Sequence, residues 1–162
     1  MSDHPLAPLG QQYRFNNNLL DAVSADFSRE LWARHPGGEG NSAWWILGHI
    51  TLARRRLSRA LGIAIDAVEG EDEFWMGATP DPEHRDYPEP EILAAEFRQL
   101  GEKLMAAMAE MSTADAEQPF GHRFPDGSED LKGGARFMFM HESYHLGQIG
   151  LLRRVYGLPG FR

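Results

Sequence analysis

The chain contains no cysteine. That absence excludes a disulfide framework, a thiolate metal site and a cysteine nucleophile, so any thiol chemistry would need a thiol brought by a cofactor or substrate. Long apolar runs are also missing. Nothing approaches the roughly 20 residues of a membrane span, and Met1 to Leu9 lack the charged-then-apolar pattern of a signal peptide, so a cytoplasmic protein is expected. Positive charge is scarce: 16 Lys and Arg stand against 24 Asp and Glu, for a net charge of −8. A phosphate backbone needs a basic face, which argues against nucleic acid as a partner. The only basic cluster is Arg54-Arg55-Arg56, and three consecutive helical residues point in three directions. What remains is an ordinary globular composition, and 162 residues suit one domain, 1–162, with enough core to fold unaided.

Helical periodicity occurs four times, and no period-2 strand competes with it. The first stretch runs from about Leu9 to Phe27, with Leu9, Tyr13, Leu20, Val23 and Phe27 on one stripe, interrupted by the polar Asn16. A break at His35-Pro36-Gly37-Gly38-Glu39-Gly40 follows. Asn41 or Ser42 caps a second helix to about Leu61, whose inward stripe reads Trp45, Ile46, His49, Leu52, Ala53 and Ala60. The third runs from about Pro90 to Met111 and the fourth from about Leu131 to Tyr156. Residues 63–88 form a long polar connection between the second and third helices, with an apolar island at Glu73-Phe74-Trp75-Met76; such crossovers often carry a lid or binding surface. The predicted fold is all-α, an antiparallel four-helix bundle.

Of the seven histidines, His4, His35, His84 and His122 sit in the tail or loops and read as surface residues. His49 occupies the middle of the second stripe. His141 and His145 share the fourth stripe with Met138, Ile149, Leu152 and Tyr156. Residues four apart lie on one helical face about 5–6 Å apart, which lets two imidazoles bind one ion at roughly 2.0–2.1 Å. Two buried neutral histidines without a shared partner would leave ring nitrogens unsatisfied. The triad His49, His141 and His145 is therefore predicted to hold one divalent metal, against the alternative of inward histidines bonded to each other.

The segment His141-Glu142-Ser143-Tyr144-His145 also fits the H-E-x-x-H protease pattern, in which the Glu is the general base. The residues after it, 146–162, hold no further His, Asp, Glu or Cys to complete such a site, and the sheet that aligns a peptide is missing. Glu142-x-x-His145 matches half of a di-iron bundle site. Ile46 stands where the second Glu would precede His49, so one metal is preferred. Glu142 is a candidate catalytic base, a hydrogen-bonding support for a ligand, or a structural ion pair; these stay open. Gln148 could bond an imidazole or pack between helices. Asn16 should face the metal cavity or wet interior, or bond to a helix backbone. Arg56 could meet an anionic cofactor or an acidic side chain, and Trp44, Trp45 and Trp75 could wall a pocket or fill the core.

His49-Ile50 after Ser-x-x-Trp, with His141-Glu142-x-x-His145-x-Gly147-Gln148-Ile149 followed by Leu152-Arg153-Arg154, resembles the DinB-like superfamily over nearly the whole chain. The resemblance implies a mononuclear three-histidine site, commonly with zinc or nickel, and frequently a homodimer. Characterised relatives of that kind include transferases and isomerases that use a low-molecular-weight thiol such as bacillithiol, mycothiol or glutathione. A metal-dependent enzyme of thiol-transferase or hydrolase type acting on a small molecule is expected, with a non-catalytic, stress-related metal binder as the alternative. No residue set in the sequence chooses the substrate.

Overall fold

The computed structural model describes residues 4–38 and 40–161. Residues 1–3, part of the stretch read for a leader, and Glu39, inside the Pro/Gly break, lie outside the described residues. Among those described, regular structure is all helical: α1 (Ala7–Ser24), α2 (Arg29–Ala33), α3 (Ala43–Ala60), α4 (Pro90–Glu110), α5 (Thr113–Ala116) and α6 (Leu131–Val155), with 3-10 turns at Pro36–Gly38 and Glu71–Phe74. No helix among them is long and apolar enough to cross a membrane.

Helix starts carry their own chemistry. The side chains of Ser28, Ser42, Ser112 and Asp130 each accept a hydrogen bond from a first-turn backbone N–H, and proline opens α1 and α4. Two expectations shift. The first helix ends at Ser24, and Phe27 instead packs edge-on against Trp32 of the unpredicted α2. Five residues are too few to show a period, which is why α2 is invisible in the sequence.

The four long helices pack side by side, α1 against α4 and α6, and α3 against the same two. Direction follows from which residues meet. Tyr13 and Asn16 reach Ala135 and Glu142, and Val23 lies beside Gly150, so α1 and α6 run the same way. Gly10 abuts Met105 while Asn17 bonds the Arg98 carbonyl, so α1 and α4 run oppositely. The interior divides into two apolar clusters. One gathers Leu20, Leu47, Ile50, Phe97, Leu146 and Ile149; the other gathers Tyr13, Leu57, Leu104, Met108 and Ala135. Both α3 and α4 begin in the first cluster and end in the second. Consecutive helices that run the same way need a return path as long as a helix, which accounts for the extended connection between Leu61 and Pro90.

That connection folds back over the start of α3 and buries a histidine expected at the surface. The His84 ring stacks on Trp44 at 4.9 Å, and its Nε2 lies 2.8 Å from Ser42 Oγ. Local turn residues announce a loop but not what the loop packs on. His4 and His35 are half-buried, and His122 is exposed, as expected.

Candidate metal centre

Three imidazoles meet where α3 faces α6. His49 comes from the middle of α3, where its ring stacks on Trp45 one turn earlier at 5.0 Å. Its Nδ1–H donates to the backbone carbonyl of Phe74 at 2.7 Å. Because a carbonyl can only accept, the proton sits on Nδ1 and the Nε2 lone pair points away from it. Gly48 makes that contact possible, since a Cβ there would strike the Phe74 ring seated against α3. On α6, His145 places Nδ1 2.6 Å from Gln148 Oε1, which likewise leaves Nε2 as the free acceptor.

The Nε2 atoms then face one another. His141 Nε2 lies 3.0 Å from that of His49 and 3.2 Å from that of His145, and the candidate ligand atoms all fall within 4.8 Å of each other. Two imidazole nitrogens bound to one tetrahedral cation at 2.0–2.1 Å stand roughly 3.3 Å apart. A single proton on His141 Nε2 serves one neighbour well, and the His141 Nδ1 would still be buried without a partner. A cation accepts all three lone pairs together.

Electrostatics favour the neutral, ligating form. Burial lowers the pKa of all three rings; for His49 and His145 the bonds to Phe74 and Gln148 oppose the shift. His141 falls to about 4, through burial first and then the neighbouring His145 and His49. At neutral pH no proton has to leave before an ion binds.

One expectation is corrected. His141 and His145, expected on the inward stripe with Met138, Ile149, Leu152 and Tyr156, are half-buried on its flank, and Glu142, Leu146, Ile149 and Arg153 occupy the most buried line. The helix is rotated by about one residue relative to the pattern read from its apolar spacing, because a charged residue there is paired rather than excluded. Glu142 is 1% exposed, and both its oxygens are taken. Arg54 Nε and Nη2 donate to them at 2.6 and 2.7 Å, and Asn16 Nδ2 adds a bond of 2.8 Å. Asn16 also donates to Ser143 Oγ, so it belongs to this dry cluster and not to the space between the imidazoles.

Arg54, which the sequence presents only as one of three consecutive arginines, is the residue of this region that sequence reasoning did not single out. The signal was present: Leu47, Ile50, Arg54 and Leu57 repeat at 3–4 spacing, so Arg54 lies on the most buried stripe of α3. Arg56 behaves differently. Its guanidinium covers the Trp75 ring at 3.5 Å and reaches Asp72 at 3.4 Å. Trp44 and Trp45 are buried, with indole N–H groups bonded to the Pro88 and Glu73 carbonyls, whereas Trp75 is partly exposed. Phe137 lies parallel to His141 at 6.2 Å and the Tyr144 ring approaches His145 at 5.2 Å. The imidazoles are thus framed by rings.

Comparison with known proteins gives one family. The model of the DinB superfamily matches residues 12–149, from the first turns of α1 to the residue that follows Gln148. No curated protein matches the chain.

Proposed function

Because the chain belongs to the DinB superfamily and turns three neutral imidazoles toward one point, we propose that it is a metal-dependent enzyme of the thiol-transferase or hydrolase kind. His49, His141 and His145 hold one divalent cation, zinc or nickel, in a single domain over 1–162 whose four long helices form a bundle of two antiparallel pairs. The observation that carries the reading is the commitment of two Nδ1 protons, to Phe74 and Gln148, which turns the Nε2 lone pairs of His49 and His145 toward His141, whose one ring proton can serve only one of them.

A cation held by His49, His141 and His145 would supply either a bound water whose pKa is lowered toward about 7 or a site for a thiol cofactor's sulfur as thiolate. The protein's own groups do the rest. Phe74 and Gln148 fix the imidazole planes. Trp45, Phe137 and Tyr144 surround the rings and limit water around them. Glu142 acts by holding helices, since its carboxylate has no oxygen left for a substrate proton. The exposed Met140, Tyr144, Leu151 and Val155 line one face of α6, with Phe15 exposed on neighbouring α1, and this apolar stripe supports association with a second copy.

Metal analysis of protein purified without a nickel column tests the reading. One equivalent of zinc or nickel is expected, lost in His141→Ala. Substoichiometric metal, unchanged in that variant, would overturn it. Screening the loaded protein with thiol cofactors plus electrophiles, and with esters and amides, separates enzyme from binder; a loaded protein that turns over none of them is a binder.

A further inference from the structure

Arg54 donates all five of its N–H groups. Nε and Nη2 bond Glu142 on α6, Nη1 bonds Asn17 Oδ1 on α1 and the Phe97 carbonyl on α4, and Nη2 also bonds the Tyr13 carbonyl on α1. One guanidinium on α3 therefore touches each of the other three long helices. It stands between the two apolar clusters with Asn16, Asn17 and Glu142, as a polar layer across the interior. α4 makes room for it: a Cβ at Gly101 would collide with Arg54 Nη1 and the Asn17 amide. Glycine inside a helix costs about 1 kcal/mol relative to alanine, and here the space it leaves is occupied by the cation.

The position of this layer matters as much as its bonding. Arg54 follows His49 on α3, and Glu142 adjoins His141 on α6. The ion pair and the triad join the same two helices at different heights and angles. Apolar burial is non-directional and fixes the rotation of a helix less sharply than a two-pronged guanidinium–carboxylate bond does. The tolerance is narrow: a turn of α6 by about 10° carries a nitrogen some 6 Å from the helix axis through about 1 Å, beyond the roughly 0.5 Å that a ligand set permits. Buried ion pairs often contribute no net stability over apolar residues of similar size.

We propose that Arg54 and Glu142 are positioning residues, whose task is to hold α3 and α6 at the rotation that brings the three Nε2 atoms together. This inference rests on the reading of the triad as a metal site.

The experiment compares wild type, R54M/E142L and H141A by zinc titration, helical content and thermal unfolding. In the metal-free proteins it also follows the NMR cross-peak between the His49 and His141 rings, whose centroids lie 4.9 Å apart. The double variant is expected to stay helical with little change in its unfolding midpoint, to bind zinc about tenfold more weakly or worse, and to lose the ring cross-peak. A folded double variant with affinity within about threefold of wild type and the cross-peak intact overturns the inference. If that variant does not fold, R54K takes its place, keeping the charge while losing the planar fork. Affinity lost with the midpoint retained supports positioning; affinity unchanged, or lost only in step with the folded fraction, overturns it. If wild type binds no zinc, the metal reading fails by itself, and the cross-peak still decides whether the ion pair sets the ring geometry.

Discussion

Two polar clusters join α3 to α6, and they are built on opposite terms. Around Arg54 every donor has an acceptor, both oxygens of Glu142 are bonded, and the charges are 1% exposed. Around His141 the rings are buried or half-buried and uncharged, three ring nitrogens face one another with at most one proton between them, and a fourth nitrogen has no partner. Saturated hydrogen bonding in a dry interior gives a fixed geometry with nothing left to react. Unsaturated nitrogens at the edge of the interior give a site that a cation could complete. A carboxylate next to two histidines in the sequence belongs to the first cluster although its neighbours belong to the second, because one step along a helix turns a side chain by about 100°.

Removing one member of the saturated cluster should have the largest effect. Glu142→Ala strands the Arg54 guanidinium in the interior and is expected to cost about 3–5 kcal/mol in urea unfolding; a loss below about 1 kcal/mol would show that the guanidinium finds water, and the contrast between the clusters would fail. The unsaturated cluster should respond in binding rather than folding. Gln148→Ala frees the His145 ring to turn, and zinc affinity should fall about tenfold, or about 1.4 kcal/mol, while stability moves by less than about 0.5 kcal/mol. Equal changes in both measurements would merge the two clusters into one structural network.

Acid should separate them least, but in a defined direction. His141 has a folded pKa of about 4, below its unfolded value near 6.5, so the unfolded chain binds the proton more tightly in that window. In the metal-free protein this ring's contribution to stability is complete above pH 6.5 and is lost as pH falls toward 4. For a half-exposed ring the loss at pH 5 is about 1 kcal/mol once solvent screening is allowed for. Urea midpoints at pH 7 and 5 measure it, and His141→Asn should shrink the difference without abolishing it, because burial lowers His49, His145 and His84 as well.

The sequence made the His141–His145 pair and the long helices visible because both depend on local spacing, whereas His49 joins the pair from another helix. Leu93, Phe97, Leu100, Leu104 and Met108 repeat on one face whatever they pack against, and His141 and His145 meet by the geometry of a single turn. Arg54 and His84 depend on partners far along the chain. Nothing within a few residues of Arg54 announces Glu142, and nothing near His84 announces Ser42 and Trp44. The directions of α3 and α4 were hidden for the same reason, since loop length permits a crossover without requiring one. A charged residue on the apolar stripe of α3 and the polar Asn16 on that of α1 were the local clues to the interior layer.

The carbonyl of Phe74 is a peptide oxygen in a surface crossover, yet it decides which nitrogen of His49 carries hydrogen. Any redesign that trims or grafts the segment between Leu61 and Pro90 would have to return an acceptor to that spot, or the imidazole could present N–H where a lone pair is wanted. A stretch whose polar composition reads as spacer is, through one atom, part of the tautomer control of the three imidazoles.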